Sequence, residues 1–275
     1  MKHIFIILLA IAIIVTGIFL PYIHGDYDNL AVGLSYIFQF GLFASLLFVP
    51  TGLIWLILNF TIGQNNPTVK YPLYFKKITL IIATIIVLAT ALGAFASNNR
   101  FSAIIILGAG IFLFIFRKKI KTLFYVSDNI KPYYFIFIPL TVLVIRMIFL
   151  ETVKNKTTDF VIQQSEQLIQ DIEAYKKTNG HYPVSLLSTI EDYKPRVVGI
   201  PRFRYERSGE AYNIYFEQTS EMLGTEEVVM YNKLGEHEMT VHNQDLLRIA
   251  PENILRGYHK EADLPQPHWK IFYFD

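Results

Sequence analysis

The chain contains no cysteine. This excludes disulfides, thiol nucleophiles and thiolate-ligated zinc or iron–sulfur centres, but leaves the compartment open, since many exported domains manage without disulfides. Acidic residues are almost as scarce over the first half. Residues 1–154 hold only Asp26, Asp28, Asp128 and Glu151 against 12 Lys and Arg, whereas residues 155–275 hold 19 Asp and Glu against 13 Lys and Arg. A net charge of +2 therefore conceals a basic half of +8 and an acidic half of −6. The acidic half repels phosphate backbones, so nucleic acid is not an expected partner. Catalytic signatures are missing too. There is no G-x-S-x-G elbow, no Walker loop and no dinucleotide fingerprint, and Gly108-Ala109-Gly110 falls inside an apolar run. His237-Glu238 with His242 comes near the zinc-protease pattern, but five residues turn a helix by about 140° past the shared face, and an odd spacing on a strand puts the two on opposite faces. No catalytic residue, metal ligand or cofactor is expected, and the carboxylates of residues 206–238 read as a solubilising surface.

What is abundant is apolar sequence: 52% of the 275 residues are hydrophobic and the mean hydropathy is +0.34, too apolar for an ordinary soluble protein. Five runs stand out, at Ile4–Leu20, Leu30–Ile62, Ile78–Ala96, Phe101–Phe116 and Tyr133–Leu150. Crossing the hydrocarbon takes about 20 apolar residues, so the fourth is short and leans on its flanks. The first could be a signal peptide, but no small-x-small pair marks a cleavage point before Asp26, and an uncleaved span is expected. A kink is expected near Pro50 in the long second run.

Cations flanking spans are retained on the cytoplasmic side. Lys70, Lys76 and Lys77 lie between the second and third runs, and Arg117, Lys118, Lys119, Lys121 and Lys131 lie between the fourth and fifth. The first connection carries Asp26 and Asp28 without a cation, and the third only Arg100. All four connections agree on an inside amino terminus, with residues 151–275 outside. Within the spans, Ala89, Gly93 and Ser97 recur every four residues, as expected where helices of one bundle pack closely. Arg146 is the membrane-embedded charge, about one turn from the outer end of the fifth run; its long side chain is expected to snorkel, with a buried ion pair as the alternative. No Asp or Glu falls in a span interior, which disfavours a coupled transport mechanism.

Beyond the fifth run, Val161, Leu168, Ile172 and Tyr175 step by seven, four and three, with Ser165 in the gap, giving one apolar stripe on a helix. Lys176 and Lys177 suit its last turn, Gly180 closes it and Pro183 prevents its resumption. If continuous with the fifth span, residues 133–178 form a rod of about 70 Å; the polar patch Lys154–Asp159, with Thr157 or Thr158 as a fresh cap, is the alternative. A short helix is predicted over Ser185–Tyr193. The period then falls to two: a hairpin through Phe203–Arg207 and Tyr212–Phe216 turning at Ser208-Gly209, a second from Glu226–Tyr231 to Glu236–His242, and a last strand at His268–Phe274, whose Trp269, Phe272, Tyr273 and Phe274 are expected in the core. Asp245–Gly257 reads as helical or irregular. One long helix and about five strands describe an α+β domain, the helix covering an antiparallel sheet.

An amphipathic helix ending in Tyr175, then Asn179-Gly180-His181-Tyr182-Pro183, then Leu186-Leu187 and, further on, Tyr205 and Tyr212, resembles the major pseudopilins of type II secretion and their type IV pilin relatives. The resemblance covers about residues 140–217, with Tyr175, Gly180, Tyr182 and Pro183 as its structural motif. It implies a pilin-like fold outside the membrane, on a helix running straight out of the bilayer. Polymerisation into a pilus is not implied, because pilins carry this helix at the mature amino terminus behind a processed leader, whereas here it is the fifth span.

The expected organisation is a five-helix transmembrane domain over residues 1–150 and an extracytoplasmic pilin-like α+β domain over residues 151–275. The expected role is non-enzymatic: a multi-pass protein of the bacterial cytoplasmic membrane presenting a binding, sensing or assembly domain. The lipid bilayer and other envelope or membrane proteins are its expected partners. The alternative is a subunit of a membrane-embedded enzyme or transporter complex.

Overall fold

The computed structural model describes residues 2–62, 108, 111, 115, 132–186, 193–208, 210–220, 226–237 and 260–274. The chain divides into two compact units. One comprises Met1–Leu20 and Leu30–Leu150, the other Pro21–Asn29 and Glu151–Asp275.

In the first unit, helix α1 (Lys2–Phe19) continues into a single 3₁₀ turn, Leu20–Tyr22. Helix α2 (Asn29–Ser45) and helix α3 (Phe48–Ile62) follow, meeting at a 42° bend. The kink expected near Pro50 lies one turn earlier. Proline has no N–H, and its ring collides with the carbonyl four residues back, that of Leu46. The helix accordingly breaks at Leu46-Leu47 and leaves Pro50 in the first turn of α3, while the Leu46 carbonyl accepts instead from Val49 N at 3.0 Å. Ile18, Leu42 and Val142 form a small buried cluster, and Ile4, Phe5, Leu8, Leu9 and Ile13 remain exposed along α1.

Among the described residues two helices are long and apolar enough to cross a membrane, or three if the bent α2–α3 pair counts as one span. The expected spans at Ile78–Ala96 and Phe101–Phe116, with Ala89, Gly93 and Ser97, lie outside the described residues, apart from Gly108, Ile111 and Ile115, which are helical.

The expected fifth run opens helix α4, which is unbroken from Pro132 to Asn179. The alternative of a fresh start in the patch Lys154–Asp159 is overturned by the threonines themselves. Thr157 Oγ1 donates to Val153 O at 2.9 Å and Thr158 Oγ1 to Lys154 O at 3.1 Å, the bonds of residues inside a helix rather than at its cap. Gly180 ends α4 with φ of +79°, a backbone conformation glycine adopts without strain, and its N–H donates to Lys176 O at 2.8 Å.

The second unit is an antiparallel five-stranded sheet, in the order β1-β2-β3-β5-β4, packed against this helix: β1 (Arg204–Ser208), β2 (Ala211–Thr219), β3 (Glu226–Asn232), β4 (Lys260–Asp263) and β5 (Trp269–Phe274). The predicted stripe is the contact face: Val161, Ser165, Leu168 and Ile172 are fully buried, and the apolar members cluster with Tyr212, Ile214, Phe216, Val229, Tyr231, Trp269 and Ile271. Tyr215, Val228, Met230, Phe272 and Phe274 form a second buried cluster, the alternate residues of the same strands facing the other way.

The first predicted hairpin is β1–β2, and the last strand is β5. The second hairpin is corrected. Asn232–Gly235 does turn the chain, with Asn232 Oδ1 accepting from Leu234 N and Glu236 N, but Glu236 and His237 are not strand, and β3 pairs with β2 and β5 instead. The apolar β5, alternating in phase with β3, supplies the cross-strand packing that a charged Glu236–His242 segment lacks. The edge strand β4, Lys-Glu-Ala-Asp, offers no apolar alternation to read. Residues 187–192 of the predicted short helix and all of Asp245–Gly257 lie outside the described residues.

Candidate functional site

The segment Pro21–Asn29, read from sequence only as a connection between spans, is built into the second unit. It lies antiparallel to residues 196–200: Gly25 N donates to Arg196 O (2.9 Å), Val198 N to Ile23 O (2.9 Å), Gly199 N to Pro21 O (2.8 Å) and Asp28 N to Val198 O (3.1 Å). Tyr22 is buried, its hydroxyl donating to Thr219 O at 3.2 Å, and Thr157 Oγ1 lies 3.3 Å from its carbonyl. Gly199 makes this approach feasible, since a Cβ there would stand 2.6 Å from Pro21 O.

This pairing forms one wall of an open cleft of about 760 Å³, of the size that holds small ligands. The α4 side contributes Phe160, Gln164 and Gln167, and the loops contribute His24, Asp26, Tyr193, Lys194 and Arg196. His24 stacks on Phe160, ring centroids 4.0 Å apart and planes 16° from parallel. Asp171 fixes two of the polar groups, accepting from Gln167 Nε2 at 2.9 Å and from the Tyr193 hydroxyl. Arg196 has a φ of +55°, a left-handed conformation costly for any residue with a Cβ, while its side chain stays exposed. Two cations, a flat ring pair and two amides, that of Gln167 oriented by Asp171, converge here, and no sequence pattern signals it because the contributors come from three distant segments without a shared motif.

The residues singled out from sequence fall elsewhere. Tyr182 is buried in the core, its ring 4.8 Å from that of Tyr212 and beneath Lys176 Nζ at 4.1 Å. Pro183 is buried and its carbonyl accepts from the Tyr205 hydroxyl at 2.8 Å, while Tyr175 is half-buried with its ring 5.9 Å from that of His181. The motif is thus a clasp between helix and hairpin. Burial pushes Tyr205 up to about 12, and burial, with Tyr231 and Glu173 nearby, pushes Tyr212 further still. Glu173 accepts from Tyr212 at 3.0 Å and pairs with Lys233 at 2.9 Å, which raises the lysine above its ordinary value.

Arg146 does not snorkel. It is 9% exposed, and Nη2 donates to Gln39 Oε1 at 3.4 Å with the guanidinium 5.2 Å from the Phe43 ring centroid. Gln39 Nε2 donates to Ser35 Oγ at 3.2 Å and Ser35 Oγ to Ile18 O at 2.8 Å, so a chain of neutral polar groups meets the guanidinium.

The carboxylates of residues 206–238 are not all solubilising either. Glu227, 2% exposed, accepts from Lys154 and from Gln218 Nε2 at 3.0 Å, and Gln218 Oε1 accepts from Thr158 at 2.9 Å. His237 places its ring nitrogens 3.1 Å and 3.0 Å from the carbonyls of Gly235 and His268, while Glu238 and His242 lie outside the described residues. Among the described residues no group of three His, Asp or Glu is placed to hold a metal ion.

Compared with protein-family models, with curated proteins and with solved structures, the chain finds no match.

Proposed function

We propose that the chain is a multi-pass protein of a bacterial cytoplasmic membrane, with five spans and an inside amino terminus, presenting a pilin-like α+β domain outside as a non-enzymatic binding, sensing or assembly module. The observation that carries this reading is the pairing of Pro21–Asn29 with residues 196–200. Charge placement assigns the connection after the first span and residues 151–275 to the outer side by separate arguments, and backbone hydrogen bonds between them need a common side. The exposed apolar face of α1 suits lipid. The pilin likeness draws support from a single helix passing from apolar sequence into the core of the domain, closed by Gly180 and clasped at Tyr182 and Pro183.

A reporter that matures only in the periplasm, fused after residue 275, tests the reading. Activity there, with the acidic domain cut by protease added to spheroplasts, is the expected result; an inactive fusion with a protected domain overturns it.

The chain Arg146–Gln39–Ser35 favours a second reading, a subunit of a membrane-embedded enzyme or transporter complex, because polar groups buried among apolar helices often serve a pathway. Stable co-purification with other membrane proteins is its signature.

A further inference from the structure

We propose that the cleft beside Pro21–Asn29 binds an organic phosphate, held by Arg196 with Lys194 and His24. The inference deepens the binding role proposed above and rests on it.

The second half of the chain is acidic overall, yet the cleft is lined by Lys194 and Arg196, with the His24 ring, against Asp26, and the Asp171 carboxylate behind it is engaged by Gln167 and Tyr193. A local reversal of sign in a concave site concentrates anions. Arg196 is the centre of it. Its carbonyl is pinned by Gly25 N, buried Pro195 and Val197 flank it, and its backbone is held in the left-handed region where glycine would sit more easily. An arginine kept at such a position, with its fork exposed on the cleft wall, is suited to two-pronged contact with a phosphate.

The rest of the lining fits what a phosphate is attached to. About 760 Å³ far exceeds a bare ion. The stacked His24–Phe160 pair offers a flat face to a glycerol or sugar carbon skeleton, and Gln164 and Gln167 offer amides to its hydroxyls, Gln167 being oriented by Asp171.

Two sources present this chemistry. One is the phospholipid headgroups of the membrane in which the chain is proposed to sit. A free organophosphate of the surrounding solution is the other.

The experiment uses the full chain purified in a neutral detergent. Calorimetric titration with sn-glycerol 3-phosphate examines the free source. Native mass spectrometry of the chain released from nanodiscs of mixed phosphatidylcholine and phosphatidylglycerol examines the lipid one. Binding of one equivalent in either arm is expected, and the arm that binds names the source. Arg196→Gly should weaken binding at least about tenfold, the loss of a charge-assisted contact, while the thermal midpoint holds or rises because the strained backbone is eased. Arg196→Lys should fall between wild type and glycine, and Lys194→Gln, changed at an exposed side chain, should weaken binding by a smaller factor. The inference is overturned if neither probe binds the wild-type chain, or if Arg196→Gly binds as well as wild type. Titration in detergent is indifferent to membrane sidedness, so it and the reporter fusion can fail independently.

Discussion

Lys154 Nζ lies 3.2 Å from Glu227 Oε2, with side-chain exposures of 7% and 2%, joining the middle of α4 to the central strand β3. Two charges taken out of water are costly, and their attraction compensates only when the remaining hydrogen-bonding capacity is filled. Here Gln218 and Thr158 extend the pair into a chain and the Tyr273 ring lies 5.9 Å from the ammonium.

Glu227→Leu alone strips the buried ammonium of its carboxylate and should destabilise the second unit by about 3–5 kcal/mol. Lys154→Met with Glu227→Leu removes both charges and should recover most of that loss. Denaturant titration of the single and double variants checks it; a double variant no more stable than Glu227→Leu would refute the expected recovery.

Gly199→Ala tests the tie between Pro21–Asn29 and residues 196–200. The added methyl would meet Pro21 at 2.6 Å on its carbonyl oxygen and 2.7 Å on its Cβ. The backbone cannot swing aside as a side chain can, so overpacking of about 1–3 kcal/mol outweighs the stiffening of the unfolded chain, about 0.4–1 kcal/mol. A lower thermal midpoint and faster proteolysis within residues 21–29 are expected.

Alkaline pH should loosen the clasp. Burial raises Tyr205 from about 10 when unfolded to about 12 when folded, so the folded state holds that proton more tightly. The stabilisation this represents is complete below pH 10 and is lost as pH climbs through 12. Tyr212, Tyr215 and Tyr231 shift in the same direction and steepen the loss. Tyr205→Phe should shallow the fall in stability across this window, followed by circular dichroism alongside tyrosinate absorbance.

In the first unit, a double-mutant cycle over Arg146→Leu and Gln39→Leu should return a coupling of about 0.6 kcal/mol, and no more than about 1.7 kcal/mol, as for other side-chain hydrogen bonds between membrane helices. Thermal denaturation in detergent reads it. A coupling indistinguishable from zero would show that Gln39 does not hold the guanidinium.

Where one periodicity ran uninterrupted, the fold was legible. Val161, Leu168 and Ile172 announced the helix face that packs on the sheet, and Gly180 announced its end, because each depends on neighbours a few residues away. The errors lie where partners are remote. Glu227 looked like any surface carboxylate until Lys154, 73 positions earlier, met it. Asn232–Gly235 looked like a hairpin loop because local pattern registers the turn but not which strand arrives beside β3. Arg146 reads from sequence as a snorkelling cation or half of an ion pair, and nothing in the pattern points to Gln39, 107 positions earlier on another helix, as the group its Nη2 meets. The cleft was invisible for the same reason: His24, Phe160 and Arg196 carry no shared spacing.

Because Pro21–Asn29 is separated from Glu151 by more than a hundred residues of the other unit, the second unit is assembled from two stretches of chain made at different times. A fragment beginning at residue 151 would keep all five strands yet leave the amides of Val198 and Gly199 and the carbonyl of Arg196 facing water where Pro21, Ile23 and Gly25 now meet them. During synthesis the early stretch must wait for the late one, so the last edge of the domain closes only after the intervening helices have been made.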